Sequence, residues 1–221
     1  CALEAFRAAA EMAPDKLEYL ESYAKQMYKL ARKDNTEAKK KLTEQAKKYF
    51  DFIISKYESD VTIPKEKQDP EIYFSRSTIL FEAGHFDNAL RDLEQAMNRA
   101  PNRQDILIRY ADTLYQMGRY DDAEKYYLEM VDTKAEVTYA YLQLGRIMIS
   151  KGERDKAKEY LTKCTTEQPG KYPEAYRFLG DIYLEKGLRK VAAVNYEYFL
   201  KYASPTDPAL EEVKSVLRRL K

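Results

Sequence analysis

The side chains able to do chemistry are few and scattered. His85 is the only histidine in 221 residues and stands next to a glycine. One imidazole completes neither a Ser-His-Asp triad nor a zinc site, so its expected role is that of a solvated turn residue. Cys1 and Cys164 lie at opposite ends of the sequence, outside any CxxC or Cys/His cluster, which argues against zinc and against a disulfide framework. Carboxylate pairs such as Asp121-Asp122 could serve acid–base catalysis, but they fall at helix starts, where negative charge offsets the helix dipole. No glycine loop precedes a lysine at the spacing that cradles phosphate. The run Lys39-Lys40-Lys41, followed by Lys47-Lys48, is the strongest charge cluster and could touch phosphates. Glu37 and Glu44 interrupt it and no aromatic platform accompanies it, so it reads as a solvated helix face. Catalysis has no visible seat: the expectation is a non-enzyme with no metal and no cofactor.

Composition narrows the remaining classes. Thirty-eight basic residues against thirty-seven acidic ones leave a net charge of +1, which gives no general attraction to nucleic acid or anionic lipid. No stretch approaches the roughly 18 consecutive apolar residues of a membrane-spanning helix. Charged residues reach 34% and apolar ones 44%, enough polarity for solubility and enough apolar mass for a core. Twenty tyrosines with no tryptophan suit half-buried helix faces that border water.

The elements that would position any binding residue repeat along the chain. Gly84, Gly118, Gly152 and Gly187 are 34, 34 and 35 residues apart, and five residues after each stands an alanine: Ala89, Ala123, Ala157 and Ala192. Gly145 and Gly180 each precede a lattice glycine by seven residues, and only Gly170, after Pro169, falls outside the pattern. Each period reads as a helix ending at the lattice glycine, a turn, and a second helix whose alanine lets the pair approach closely. Leu93, Tyr127, Leu161 and Tyr196 complete the second helices; Pro101 and Pro169 break the chain beyond them. Cys164 occupies a second-helix packing slot shared with Ala96 and Ala9, so a small core residue is expected there.

This pattern resembles the tetratricopeptide repeat family. Tyr141, Leu144-Gly145, Gly152, Ala157, Leu161 and Pro169 carry the resemblance most clearly, with Tyr176, Leu179-Gly180, Tyr183, Gly187, Ala192 and Tyr196 close behind. The unit from Leu107 to Met130 has Ala111 at the first small position and lacks an exit proline, and the unit near Pro70 has Ser77 there. The resemblance implies an all-α fold, an α-solenoid of tandem helix-turn-helix repeats.

The expected organisation follows. Residues 1–14 read as the second half of a truncated repeat, from the spacing of Ala2, Phe6, Ala9 and Pro14. Residues 15–59 read as an elongated, degenerate hairpin projecting beyond the array, with a gap between its apolar stripes about ten residues wider than elsewhere. Residues 60–69 read as a linker. Residues 70–204 hold four units (70–103, 104–137, 138–172, 173–204), and residues 205–221 form a capping helix, opened by Asp207-Pro208, with Leu210, Val213, Leu217 and Leu220 on one face. The start at Cys1 reads as a fragment or processed form of a longer array, and a soluble, cytoplasmic protein is the expectation. The alternative is a lipid anchor on Cys1 and a membrane-tethered lipoprotein.

In this family the first helices line a concave surface that holds a partner's peptide or helical segment. The resemblance therefore points to Phe74, Thr78, Phe81, Ile108, Asp112, Tyr115, Tyr139, Leu142, Arg146, Ile149, Arg177, Asp181 and Leu184 as the partner-binding stripe. The chaperone-binding members grip a terminal carboxylate with lysines and asparagines, whereas the corresponding slots here hold Phe74, Thr78, Asp112 and Tyr139. An apolar or amphipathic segment of another protein is the expected ligand, with an acidic group near Arg146 and Arg177. The expected function is a protein-interaction scaffold; the alternative is a self-associating assembly protein, a homo-oligomer docked through residues 1–14 or the projecting hairpin.

Overall fold

A computed structural model describes residues 4, 7, 8, 11, 12, 16–32 and 37–220. Among them it shows eleven bounded α-helices, one 3-10 turn and no strand. The helices are α1 (Leu17–Ala31), α2 (Glu37–Ser59), α3 (Pro70–Glu82), α4 (Phe86–Arg99), α5 (Gln104–Gln116), α6 (Tyr120–Asp132), α7 (Val137–Ser150), α8 (Arg154–Glu167), α9 (Glu174–Glu185), α10 (Arg189–Tyr202) and α11 (Leu210–Leu220). The chain is an all-α helical-repeat protein of the solenoid class. Cys1, Ala2, Phe6, Ala9 and Pro14, on which the half-repeat and anchor readings rest, lie outside the described residues.

The lattice glycines close the first helices. Gly84, Gly118, Gly152 and Gly187 have φ between 72° and 78°, a conformation costly for residues with a Cβ. Past Gly84 the His85 amide donates to the Leu80 carbonyl at 2.8 Å, and past Gly152 that of Glu153 donates to Met148 at 2.8 Å, the bond that ends a helix on a left-handed residue. The same device recurs where the second unit lacks its proline: Lys134, at φ 55°, lets the Ala135 amide reach the Met130 carbonyl at 2.8 Å.

The chain divides into two compact units, Cys1–Met117 and Gly118–Lys221. In the N-terminal unit one core joins Leu20, Ala24 and Met27 of α1, Phe50, Ile53 and Ile54 of α2, Ile72 and Tyr73 of α3, Leu93 and Ala96 of α4, and Ile106 of α5. Two regions gain detail here. The hairpin α1–α2 owes its length to α2, which runs 23 residues, and only residues 32–36 separate the two helices. Residues 60–69 are not a loose linker either. A 3-10 turn at Lys65–Lys67 leads to a buried Gln68, whose Oε1 accepts from Tyr73 Oη (3.3 Å) and Arg99 Nε (3.1 Å), and Asp69 caps α3 by accepting from the Glu71 amide at 2.8 Å. The polar composition that suggests a linker supplies caps and buried hydrogen bonds instead.

A chain of ions ties three helices of this unit. Arg76 on α3 grips the buried Asp92 of α4 with two bonds of 2.7 and 2.6 Å and donates to Asp51 of α2 at 3.0 Å, while Lys47 donates to Asp51 at 2.9 Å.

In the C-terminal unit the small positions decide how closely helices meet. A Cβ on Gly145 would stand 2.6 Å from Leu161 Cγ, and one on Gly180 2.5 Å from the Tyr196 ring. The second helix of each pair thus lies directly against the backbone of the first. α11 caps the last pair, burying Val213 and Leu217 against Tyr176, Ala192, Tyr196 and Phe199, with Leu210 and Leu220 half-buried beside them.

Replacing Arg76 by Met strands a buried carboxylate at Asp92, and the expected cost in urea denaturation is about 3–5 kcal/mol. Adding Asp92→Leu should recover much of that loss; a single variant as stable as the native chain overturns the assignment.

Candidate partner-binding face

In the N-terminal unit the first helices α3 and α5 carry Phe74, Thr78 and Phe81, then Ile108, Asp112 and Tyr115. Phe74 and Phe81 are half-buried, and each lies under a guanidinium: Arg103 over Phe74 at 5.1 Å, Arg109 over Phe81 at 4.8 Å. Phe81 also meets Phe86 edge-on, with centroids 5.4 Å apart. Ile108, Asp112 and Tyr115 are half-buried. Thr78 is a correction: it is 3% exposed and its hydroxyl donates to the Phe74 carbonyl at 3.0 Å, so it offers no outward surface.

Beside these residues a cleft of about 560 Å³ opens between α1 and α3, lined by Lys25, Gln26, Tyr28, Lys29 and Arg32 on one wall and Glu71, Phe74, Ser75 and Thr78 on the other. Two of its charges are already matched, Lys25 by Asp69 and Glu71 by Arg103 at 2.8 Å. Tyr28 packs edge-on against Phe50 at 6.0 Å, and burial pushes its phenol up to about 12. Its Oη is buried and faces the Thr78 hydroxyl, which donates to the Phe74 carbonyl at 3.0 Å and keeps its lone pairs open to the phenol.

In the C-terminal unit the predicted stripe is largely committed to the fold. Tyr139 lies between Tyr127 (6.3 Å) and Tyr172 (5.9 Å). Leu142 is 1% exposed, a core residue rather than an outward one, because helix α7 is apolar around most of its circumference and the phase read from sequence picked the wrong side. Arg146 donates to Gln143 at 3.1 Å, and Ile149 is half-buried. Arg177 pairs with Asp181 at 3.5 Å and stacks on Phe178 at 4.5 Å. Asp181 also accepts from Tyr196 Oη at 2.8 Å, and burial raises its pKa. Leu184 packs on the core beneath α11. An acidic ligand group at Arg177 would therefore compete with a carboxylate already in place.

Sequence reasoning passed over two features. One is the set of cations around the N-terminal cleft, Lys29, Arg32 and Arg109, which no sequence motif ties together because they come from helices far apart in the chain. The other is an exposed apolar stripe entering and following α10: Leu188 (48% exposed), Val191 (42%), Val194 (49%) and Tyr198 (43%). Their three- and four-residue spacing is visible in the sequence, but it is the spacing of any helix that packs. Tyr198 continues into a stack with Tyr176 (5.2 Å) and Tyr202 (6.4 Å).

The chemically capable side chains lie apart from one another. His85 is exposed at the start of α4. Among the described residues no group of three or more His, Cys, Asp or Glu is placed to hold a metal ion. In the lysine run Lys40 pairs with Glu37 at 3.3 Å on exposed helix surface. Cys164 is buried at 1% exposure, and desolvation pushes its thiol up to about 12. Since the thiolate is the nucleophile, the native chain at neutral pH should leave Cys164 unmodified by iodoacetamide, while the same chain in denaturant labels fully. Peptide mass mapping separates this site from Cys1, and rapid labelling of Cys164 in the native chain overturns the expectation.

Two family models described as tetratricopeptide repeat match the chain, at residues 80–143 and 138–171. No curated protein matches it. Among solved structures, YrrB, described as a tetratricopeptide repeat protein with an unusual peptide-binding site, superposes with a TM-score of 0.66 at 18% identity over 96% of this chain and 99% of its own. A MamA fragment from Desulfovibrio magneticus RS-1 gives 0.62 at 18% identity, covering 81% of this chain and 94% of that one. Pseudomonas aeruginosa PilF gives 0.65 at 16%, covering 91% and 90%. Identities this low speak for the fold alone, and the two family matches add that residues 80–171 carry tetratricopeptide repeats, in line with the left-handed glycine turns and small-residue helix contacts seen there.

Proposed function

We propose that the protein is a non-catalytic interaction scaffold that holds an apolar or amphipathic segment of another protein on the first-helix face of its N-terminal unit. The observation that carries this reading is the row of half-buried apolar side chains on these first helices, Phe74 and Phe81 on α3 and Ile108 and Tyr115 on α5, with Phe74 lining a 560 Å³ cleft. Completing the burial of such a side chain against a guest contributes up to about 1.5–3 kcal/mol before ordering costs. The similarity to YrrB, whose description names a peptide-binding site, supports the reading. Ile149 and Leu184 are weaker candidates, and Leu142 drops out, since a charge introduced there would unfold the repeat. No helix of the described residues is long and apolar enough to cross a membrane. A cytoplasmic scaffold is the preferred setting, and a form tethered through a lipid on Cys1 is the alternative.

The second reading is self-association, and the exposed stripe Leu188, Val191, Val194 and Tyr198 favours it, because monomers seldom leave four neighbouring apolar side chains in water. The mass of the chain in dilute solution decides: a dimer that Val191→Glu dissociates supports it, and a monomer removes it.

For the leading reading, peptides selected against the chain from a random display library should lose affinity about tenfold or more for Phe81→Ala combined with Tyr115→Ala, with helix content unchanged in circular dichroism. Equal binding by the folded double variant overturns it.

A further inference from the structure

The N-terminal unit gathers positive charge that its own carboxylates do not neutralise. Lys29 and Arg32, at the end of α1 and just past it, are exposed at the cleft, and among the described residues neither enters an ion pair. Arg109 comes from α5 and lies flat over Phe81 at 4.8 Å, a pose that leaves the edge of its guanidinium free to donate. It too enters no ion pair among the described residues. Arg32 and Arg109 both bear on Tyr28: Arg32 lies 5.9 Å from its ring, and both cations favour its ionised form while Glu82 opposes it. Three cations with one opposing acid and an apolar ring under one of them make a face suited to an anion on an apolar neighbour.

We propose that this face takes an acidic segment of the partner, with Asp or Glu carboxylates taken by Arg32 and Lys29 at the cleft and by Arg109 over Phe81, and an adjacent apolar side chain against Phe81. This rests on the scaffold reading and adds to it the chemistry of the guest. Guanidinium–carboxylate bonds are charge-assisted and directional, so they select acidic peptides rather than merely hold them. Lys29 and Arg32 line the cleft between α1 and α3, and Arg109 of α5 lies over Phe81 of α3, so α3 carries the apolar surface that borders both.

The test uses the full chain and a random peptide library displayed on phage. Selected peptides are then synthesised and titrated by fluorescence anisotropy against the native chain, against Arg32→Glu with Arg109→Glu, and against Lys125→Glu with Lys156→Glu, which makes the same change in net charge on exposed surface of the other unit. The expected result is enrichment of Asp and Glu beside aromatic or aliphatic residues, affinity that weakens with added salt, and a loss of about tenfold or more for the first pair with little change for the second. Neutral or basic selected peptides, or equal losses in both pairs, overturn the acidic-guest inference and leave the scaffold reading standing. Failure to select any peptide overturns both. A dimer of the native chain that the Arg32→Glu, Arg109→Glu pair dissociates would place a second copy on this face and overturn the assignment to a partner peptide.

Discussion

A helix of twelve to fourteen residues is marginal in water by itself, and the repeats here are built from helices of that length. Their stability must come from lateral contact, and lateral contact is limited by how closely two backbones approach. Gly145 and Gly180 set that limit in the C-terminal unit, where Leu161 and the Tyr196 ring occupy the space a methyl group would take. The turn glycines then fix where each helix stops, so that the small position of one helix faces the large residue of the next. The 34-residue period expresses this one requirement in the sequence.

The N-terminal unit meets the same requirement with different residues. Its first small position is Ser77, fully buried, and its packing is supplemented by polar groups that the sequence displays only as charge: Arg76 clamped between Asp92 and Asp51, and Gln68 accepting from Tyr73 and Arg99. A buried ion pair does not by itself stabilise a fold more than apolar packing would, but it fixes which partners may meet, because any other arrangement leaves a buried charge unmatched. Such pairing sets the long hairpin α1–α2 against the repeats that follow it.

A face that binds must leave something unsatisfied, and the two units differ in this respect. In the C-terminal unit the polar side chains of the first helices answer one another, Arg177 with Asp181 and Asp181 with Tyr196, and the aromatic ones stack. In the N-terminal unit apolar rings stay half-buried under guanidiniums. A guest gains most where the free protein has least internal compensation. The concentration of unmet groups near α1, α3 and α5 is the reason the functional reading favours that unit.

How much was legible in the sequence depended on how local the determinant is. Turn glycines, the alanine five residues on and the capping helix are set by backbone conformation and helix periodicity within one or two turns, so the sequence by itself determined the all-α class and the helix-turn-helix repeat. Outward and inward positions were less legible: Leu142 and Thr78 sit on helices apolar around most of their girth, where periodicity cannot choose a side. The role of residues 60–69 was hidden because a polar run looks the same whether its groups meet water or each other. The meeting of Arg76 with Asp51 and Asp92 joins residues brought together only by stacking helices, and the tertiary structure alone decided those contacts, since charge carries no sequence address until packing assigns it a neighbour.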